Sequence, residues 1–196
     1  SRRDNPIEVM QKVIDAPAGA LRDTFNILDK KAYQRALDAL LEAPNILFCG
    51  VGDAALVAME AYQRFVRIGQ RCSTSEDPDL QLILASHLNK GDVLVAVSHS
   101  GKSRTVLNAV KLARDSGATV VAITNFPVSP LTKNSDIVLL TAVFSQHPTG
   151  EIISKRVAEL CIIESLYINY VLKKGRVPLA NLQTSNRAVK VNKLWD

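Results

Sequence analysis

Apolar residues at Ile7, Met10, Val13 and Ile14 recur three and four apart, which predicts a short helix over Pro6–Asp15 with one apolar side. Pro17 is expected to interrupt it, because a helix-interior proline removes a hydrogen bond and crowds the preceding turn. From Ala18 to Ala43 the pattern is again helical, with Leu21, Phe25 and Leu28 on one stripe. Asp29 reads as the N-cap of a helix carrying Tyr33, Leu37, Leu40 and Leu41, and Pro44 ends it.

Beyond Pro44 the period changes. Short continuous apolar runs at Ile46–Cys49, Val93–Val97, Thr119–Thr124 and Ile137–Leu140 predict buried strands, and Arg71–Thr74 predicts a further short one. Helical patterns separate them: Asp53–Ile68, Asp77–Leu88, Ser103–Asp115 and a short turn at Ser129-Pro130. A long helix is predicted over Glu151–Lys174, apolar on nearly all sides of its middle and so buried in the core or between subunits. Strands alternating with helices, and buried on both faces, imply an α/β fold. The expectation is a five-stranded parallel sheet with helices on both faces, preceded by an N-terminal helical arm.

Composition changes this picture little. The chain has 196 residues, enough for one domain with a sizeable core, and no apolar run approaches membrane-spanning length. Cys49, Cys72 and Cys161 are far apart and show no CxxC spacing, which suits a reducing cytoplasm and small apolar packing residues. The formal net charge of +5 is local. Lys173, Lys174, Arg176, Arg187, Lys190 and Lys193 face only Asp196, and the rest of the chain balances. The basic character therefore reads as a solvated C-terminal tail, not a nucleic-acid-binding stripe.

Two strand ends carry candidate chemistry, since ligands of open parallel sheets bind at the carboxyl ends of strands. The first is Gly50-Val51-Gly52-Asp53-Ala54-Ala55. It fits a close backbone approach to a ligand, a relaxed dinucleotide fingerprint, or a tight strand–helix turn with no ligand. Asp53 at the helix start would repel a phosphate and would cap the helix or bond sugar hydroxyls. The second is Ser98-His99-Ser100-Gly101-Lys102-Ser103. Three hydroxyls, a glycine bend and a helix N-terminus together suit a phosphate monoester, with Lys102, Arg104 and Thr105 adding to the anion field; a serine-rich helix cap is the alternative. His99 is read as a hydrogen-bonding group before a general base. His87 and His147 share no metal-ligand spacing with it, so no metal is expected. Nor is there a triphosphate-binding G-x-x-x-x-G-K loop.

Three segments in order, Ile46–Ala55 (ILFCGVGDAA), Asp92–Ser103 (DVLVAVSHSGKS) and Ala118–Asn125 (ATVVAITN), resemble the SIS (sugar isomerase) domain family, with its flavodoxin-like fold. The Ser-x-Ser-Gly-x-Ser/Thr loop is the most specific element. The helical lead-in and the segments RFVRIGQRC and EDPDLQLILASHL are similar to the effector domain of RpiR-type transcriptional regulators, and the likeness covers about residues 7–175. It implies a sugar-phosphate-sensing effector domain over 45–175, a linker arm over 1–44 and a basic tail over 176–196. It also implies a homodimer or higher homo-oligomer in the cytoplasm, with no cofactor and no membrane contact. DNA would be bound only through an N-terminal helix-turn-helix domain absent from this chain. The family's phosphate loop falls on Ser98, His99, Ser100 and Ser103, and its sugar contacts on Gly50, Gly52, Asp53 and Glu151. The family often has serine where this chain has Asp53 or Ala54. Were the chain instead a SIS-type isomerase or lyase, His99 and Glu151 would be its acid–base pair.

Overall fold

The computed structural model describes residues 5–143 and 153–192. Five strands, β1 (Ile46–Cys49), β2 (Cys72–Ser73), β3 (Val93–Val97), β4 (Thr119–Thr124) and β5 (Ile137–Leu140), form one parallel sheet in the order β2-β1-β3-β4-β5. The expected α/β class and strand count hold, and β1, β3, β4 and β5 have the predicted bounds.

Side chains alternate across each strand. On one face Ile46, Phe48, Val93, Val95, Val97, Val121 and Ile123 pack with α2 (Lys30–Glu42), α3 (Asp53–Arg67) and α7 (Ile153–Lys174). On the other, Leu47, Cys49, Leu94, Ala96, Val120 and Ala122 pack with α4 (Pro78–Ser86), α5 (Arg104–Asp115) and α6 (Pro130–Lys133). Both faces are covered, so the strands carry no polar alternation.

Winding reverses between β1 and β3. From β1 the chain crosses through α3 to β2 on one side; from β3 it crosses through α5 to β4 on the other. A crevice at the carboxyl ends of β1 and β3 follows from that reversal. Asn125, buried just after β4, holds the exit of β5: its Oδ1 accepts from Val143 N at 2.7 Å and Thr141 Oγ1 at 3.1 Å.

Three elements differ from expectation. Helix α1 runs unbroken over Pro6–Ile27 with Pro17 inside it. Packing outweighs the lost hydrogen bond: α1 lies along α7, with Ala20 against Ala158 and Val143. Second, most of the expected basic tail is helix α8 (Arg176–Val189). Asn181 Nδ2 donates to Ile68 O (2.9 Å) and Ser185 Oγ to Arg67 O (2.8 Å), satisfying carbonyls at the end of α3. Third, α7 is not buried all round. Ala158, Ile162, Ile163, Leu166 and Tyr170 face the core, whereas Cys161, Ile168 and Leu172 are exposed. Cys161 is therefore not the packing residue expected of it; Cys49 is.

Candidate functional site at the β1–β3 crevice

After β1, Gly50 packs so closely on α3 that a Cβ there would lie 2.5 Å from Ala54 O. Gly52, with φ +60°, precedes the first turn of α3. The buried Gln81 of α4 braces this turn: its Nε2 donates to Gly50 O and Ser75 O at 2.8 Å, and its Oε1 accepts from Cys49 Sγ at 2.6 Å. The glycine loop is thus a braced turn. Asp53 does not cap α3; its carboxylate meets Arg156 of α7 at 2.7 Å.

After β3 the ladder continues one bond further, Ser98 N donating to Ile123 O at 3.1 Å. Gly101, with φ +63°, then reverses the chain, and its N donates to Ser98 O at 3.0 Å. The back of this loop is pinned. Thr124 Oγ1 and Asn125 N donate to His99 O at 3.1 and 3.0 Å, and Leu131 N donates to Gly101 O at 3.0 Å. Its front is open: Ser100 is exposed, and Ser103, the N-cap of α5, makes no side-chain bond to the helix. First-turn N–H groups of α5 remain available to an anion.

These loops and α7 line a cavity of about 290 Å³. Asp53, Ser98, His99, Ser100 and Ser103 line it, together with Val51 and Ala54; Gly50 and Gly52, expected as sugar contacts, are not among its lining residues. Glu151 lies outside the described residues. α7 contributes two residues that the sequence reading did not single out, Lys155 and Glu159. Among the described residues Lys155 is the cation lining this cavity; Lys102 and Arg104 are not part of the lining and are exposed. Glu159 is 1% exposed. It sits three, four and seven residues before Ile162, Ile163 and Leu166, a charge at a core-facing helical position, which was the available signal.

Burial raises the Glu159 carboxyl to about 7, against an opposing pull from Lys155. Burial, then the positive charge of Lys155, lowers His99 to about 4. His99 Nδ1 and Glu159 Oε1 stand 4.0 Å apart, too far for a hydrogen bond, and neither has a partner among the described residues. A neutral imidazole makes no ion pair, so the two groups face each other unbonded. Phe126 packs edge-on against the imidazole, ring centroids 5.9 Å apart.

A buried acid with a raised pKa opposes folding as it ionises. That penalty is absent below pH 4.5, grows as pH rises, and is complete above pH 7. Glu159→Gln is therefore expected to stabilise the fold by about 1–2 kcal/mol at pH 8 and by much less at pH 5, since the amide also lacks a partner. Urea unfolding at the two pH values measures this, and a gain independent of pH would contradict it.

Residues 39–169 match the family model of the SIS domain. The chain belongs to the SIS domain family. Its likeness within that family is to RpiR- and HexR-type transcriptional regulators. The HTH-type transcriptional regulator HexR of Escherichia coli is 30% identical over 179 residues, 91% of this chain and 62% of HexR. The Vibrio vulnificus NanR protein complexed with ManNAc-6P superposes with a TM-score of 0.87 at 26% identity, over 95% of this chain and 70% of NanR. The sugar isomerase domain of an RpiR transcription factor from Sphaerobacter thermophilus (TM-score 0.80, 22% identity, 93% of this chain and 98% of that one) shares the fold. So does the phosphoheptose isomerase GmhA of Neisseria gonorrhoeae (TM-score 0.72, 19% identity, 85% and 98%).

Proposed function

We propose that this SIS domain binds a phosphorylated sugar and serves as the sensing domain of an RpiR-type transcriptional regulator in the cytoplasm. The observation that carries the reading is the serine loop: two outward hydroxyls and an uncapped helix N-terminus meet at a small cavity on the switch point of the sheet. About 290 Å³ lies at the low end of small-ligand sites, which favours a sugar phosphate over a dinucleotide. NanR with its bound amino-sugar phosphate supports the ligand class, and HexR supports the regulatory role. DNA would be contacted by a separate helix-turn-helix domain. Ligand bound between α5 and α7 would bias the placement of α1, which lies along α7.

A second reading, a sugar-phosphate isomerase, is favoured by one observation. Glu159 has a proton affinity suited to general base work and faces His99, so it would replace Glu151 in the acid–base pair. Incubation with pentose and hexose phosphates separates the two. The sensing reading predicts thermal stabilisation, about 1.4 kcal/mol at ten times the dissociation constant, with substrate recovered unchanged. Product formation would establish the isomerase instead.

The chain is also expected to self-associate. Ile7, Met10, Val13 and Ile14 form an exposed apolar stripe on α1, more than an isolated helix leaves in water. Light scattering at micromolar concentration is expected to give at least twice the chain mass; the mass of one chain would contradict it.

A further inference from the structure

The facing pair on the cavity wall bears on which phosphorylated compounds enter. Glu159 Oε1 and His99 Nδ1 are buried without partners among the described residues, and burying polar atoms unpaired is costly. A cavity-lining carboxyl that is 1% exposed, with one oxygen unpaired among the described residues, lacks part of the compensation that buried charges normally have. The gap between the two atoms is 4.0 Å. Both atoms are shut off from solvent as they stand, so a turn of the half-buried imidazole is needed before one oxygen can sit about 2.8 Å from each.

We propose that this gap is a hydroxyl subsite, and that the ligand is a phosphorylated sugar or polyol presenting an uncharged hydroxyl there in preference to a carboxylate or an amine. The proposal rests on the sugar-phosphate reading above and narrows it. A hydroxyl both donates and accepts, so it satisfies an imidazole nitrogen and a carboxyl in either protonation state. A ligand carboxylate has no proton to give, so it cannot satisfy both the imidazole nitrogen and an ionised Glu159. An ammonium would be drawn to an ionised Glu159 but repelled by Lys155, and it has no lone pair with which to accept from a protonated Glu159. The serine loop holds the phosphate; the pair reads what the phosphate is attached to.

Isothermal titration of the full chain tests this with four classes of probe. These are inorganic phosphate, a set of neutral pentose and hexose phosphates, an amino-sugar phosphate (glucosamine phosphate) and a sugar-acid phosphate (phosphogluconate). The quantity read is the ratio of the Kd for inorganic phosphate to the Kd for each sugar phosphate. At least one neutral sugar phosphate is expected to reach a ratio of about ten or more. That ratio is expected to fall to near one in Glu159→Leu and to stay within about threefold in Glu159→Gln, whose amide still donates and accepts. Thermal melts of both variants confirm folding, and Glu159→Gln supplies the rescue if the leucine variant is unstable. Phosphate binding with every ratio near one, a full ratio surviving in Glu159→Leu, or the amine or acid binding tightest would overturn the subsite while leaving the serine loop standing. No binding of any phosphate would remove both.

Discussion

Ser100→Ala is expected to weaken binding of a phosphate-bearing ligand by about 1.5–3 kcal/mol, or roughly 10- to 150-fold in Kd. Ser100 is exposed on the cavity side of the loop, and its Oγ only accepts, at 3.3 Å, from Lys102 N. Its hydroxyl proton is therefore directed by nothing else in the loop and is available to a ligand oxygen. Hydrogen bonds to a charged group are stronger than neutral ones, hence the size of the loss. Little else depends on this side chain, so the melting midpoint should hardly move. Calorimetric titration of the two proteins measures the effect. Unchanged affinity would mean that the anion sits elsewhere.

Gly101→Ala is expected to destabilise the fold by about 2–5 kcal/mol, or to shift the serine loop and abolish phosphate binding. Two effects add. The residue has φ +63°, where a Cβ is disfavoured by about 1–2 kcal/mol. A Cβ here would also lie 2.3 Å from Ser129 Oγ and 2.6 Å from its Cβ. Ser129 cannot easily give way. It is buried, and its Oγ accepts from Thr132 N to start α6. Urea unfolding quantifies the first outcome and titration the second. Gly52→Ala separates strain from crowding: its φ is +60°, but no atom lies within 4 Å of the added Cβ, so its loss should be the smaller.

Much of the fold was legible in the sequence because its strands are buried on both faces. Val93–Val97 and Thr119–Thr124 are continuous, β-branched and bounded by turns, so pattern and structure agree to the residue. β2 was harder. It is an edge strand of two residues, and its backbone pairing extends only over Ile46–Cys72 and Leu47–Ser73. Pro17 misled because a local rule was overruled by long-range packing along α7. Helix α8 was hidden by its charge. Pro178, Asn181, Leu182 and Ser185 recur three and four apart and form its docked side, but three of the four are not strongly apolar and give no hydrophobic stripe.

The site was legible where one loop contains it. Ser98, His99, Ser100 and Ser103 are neighbours in sequence, and the bend at Gly101 brings their polar atoms to one cavity. What the sequence hid was the opposite wall. Lys155 and Glu159 lie more than fifty residues downstream and meet the loop only where α7 lines the same cavity. Asp53 shows the same limit. Read locally it is a helix cap, yet its partner is Arg156, 103 positions away.

The proposed anion seat is the segment 98–105. Nitrogen-15 amide spectra recorded during titration with inorganic phosphate test it most directly. Saturable shifts are expected, largest over Ser100–Ser103 and in the first turn of α5, whose N–H groups take no side-chain cap. Shifts centred on Gly50–Ala54 or on the basic residues of α8, with the serine loop unmoved, would contradict it.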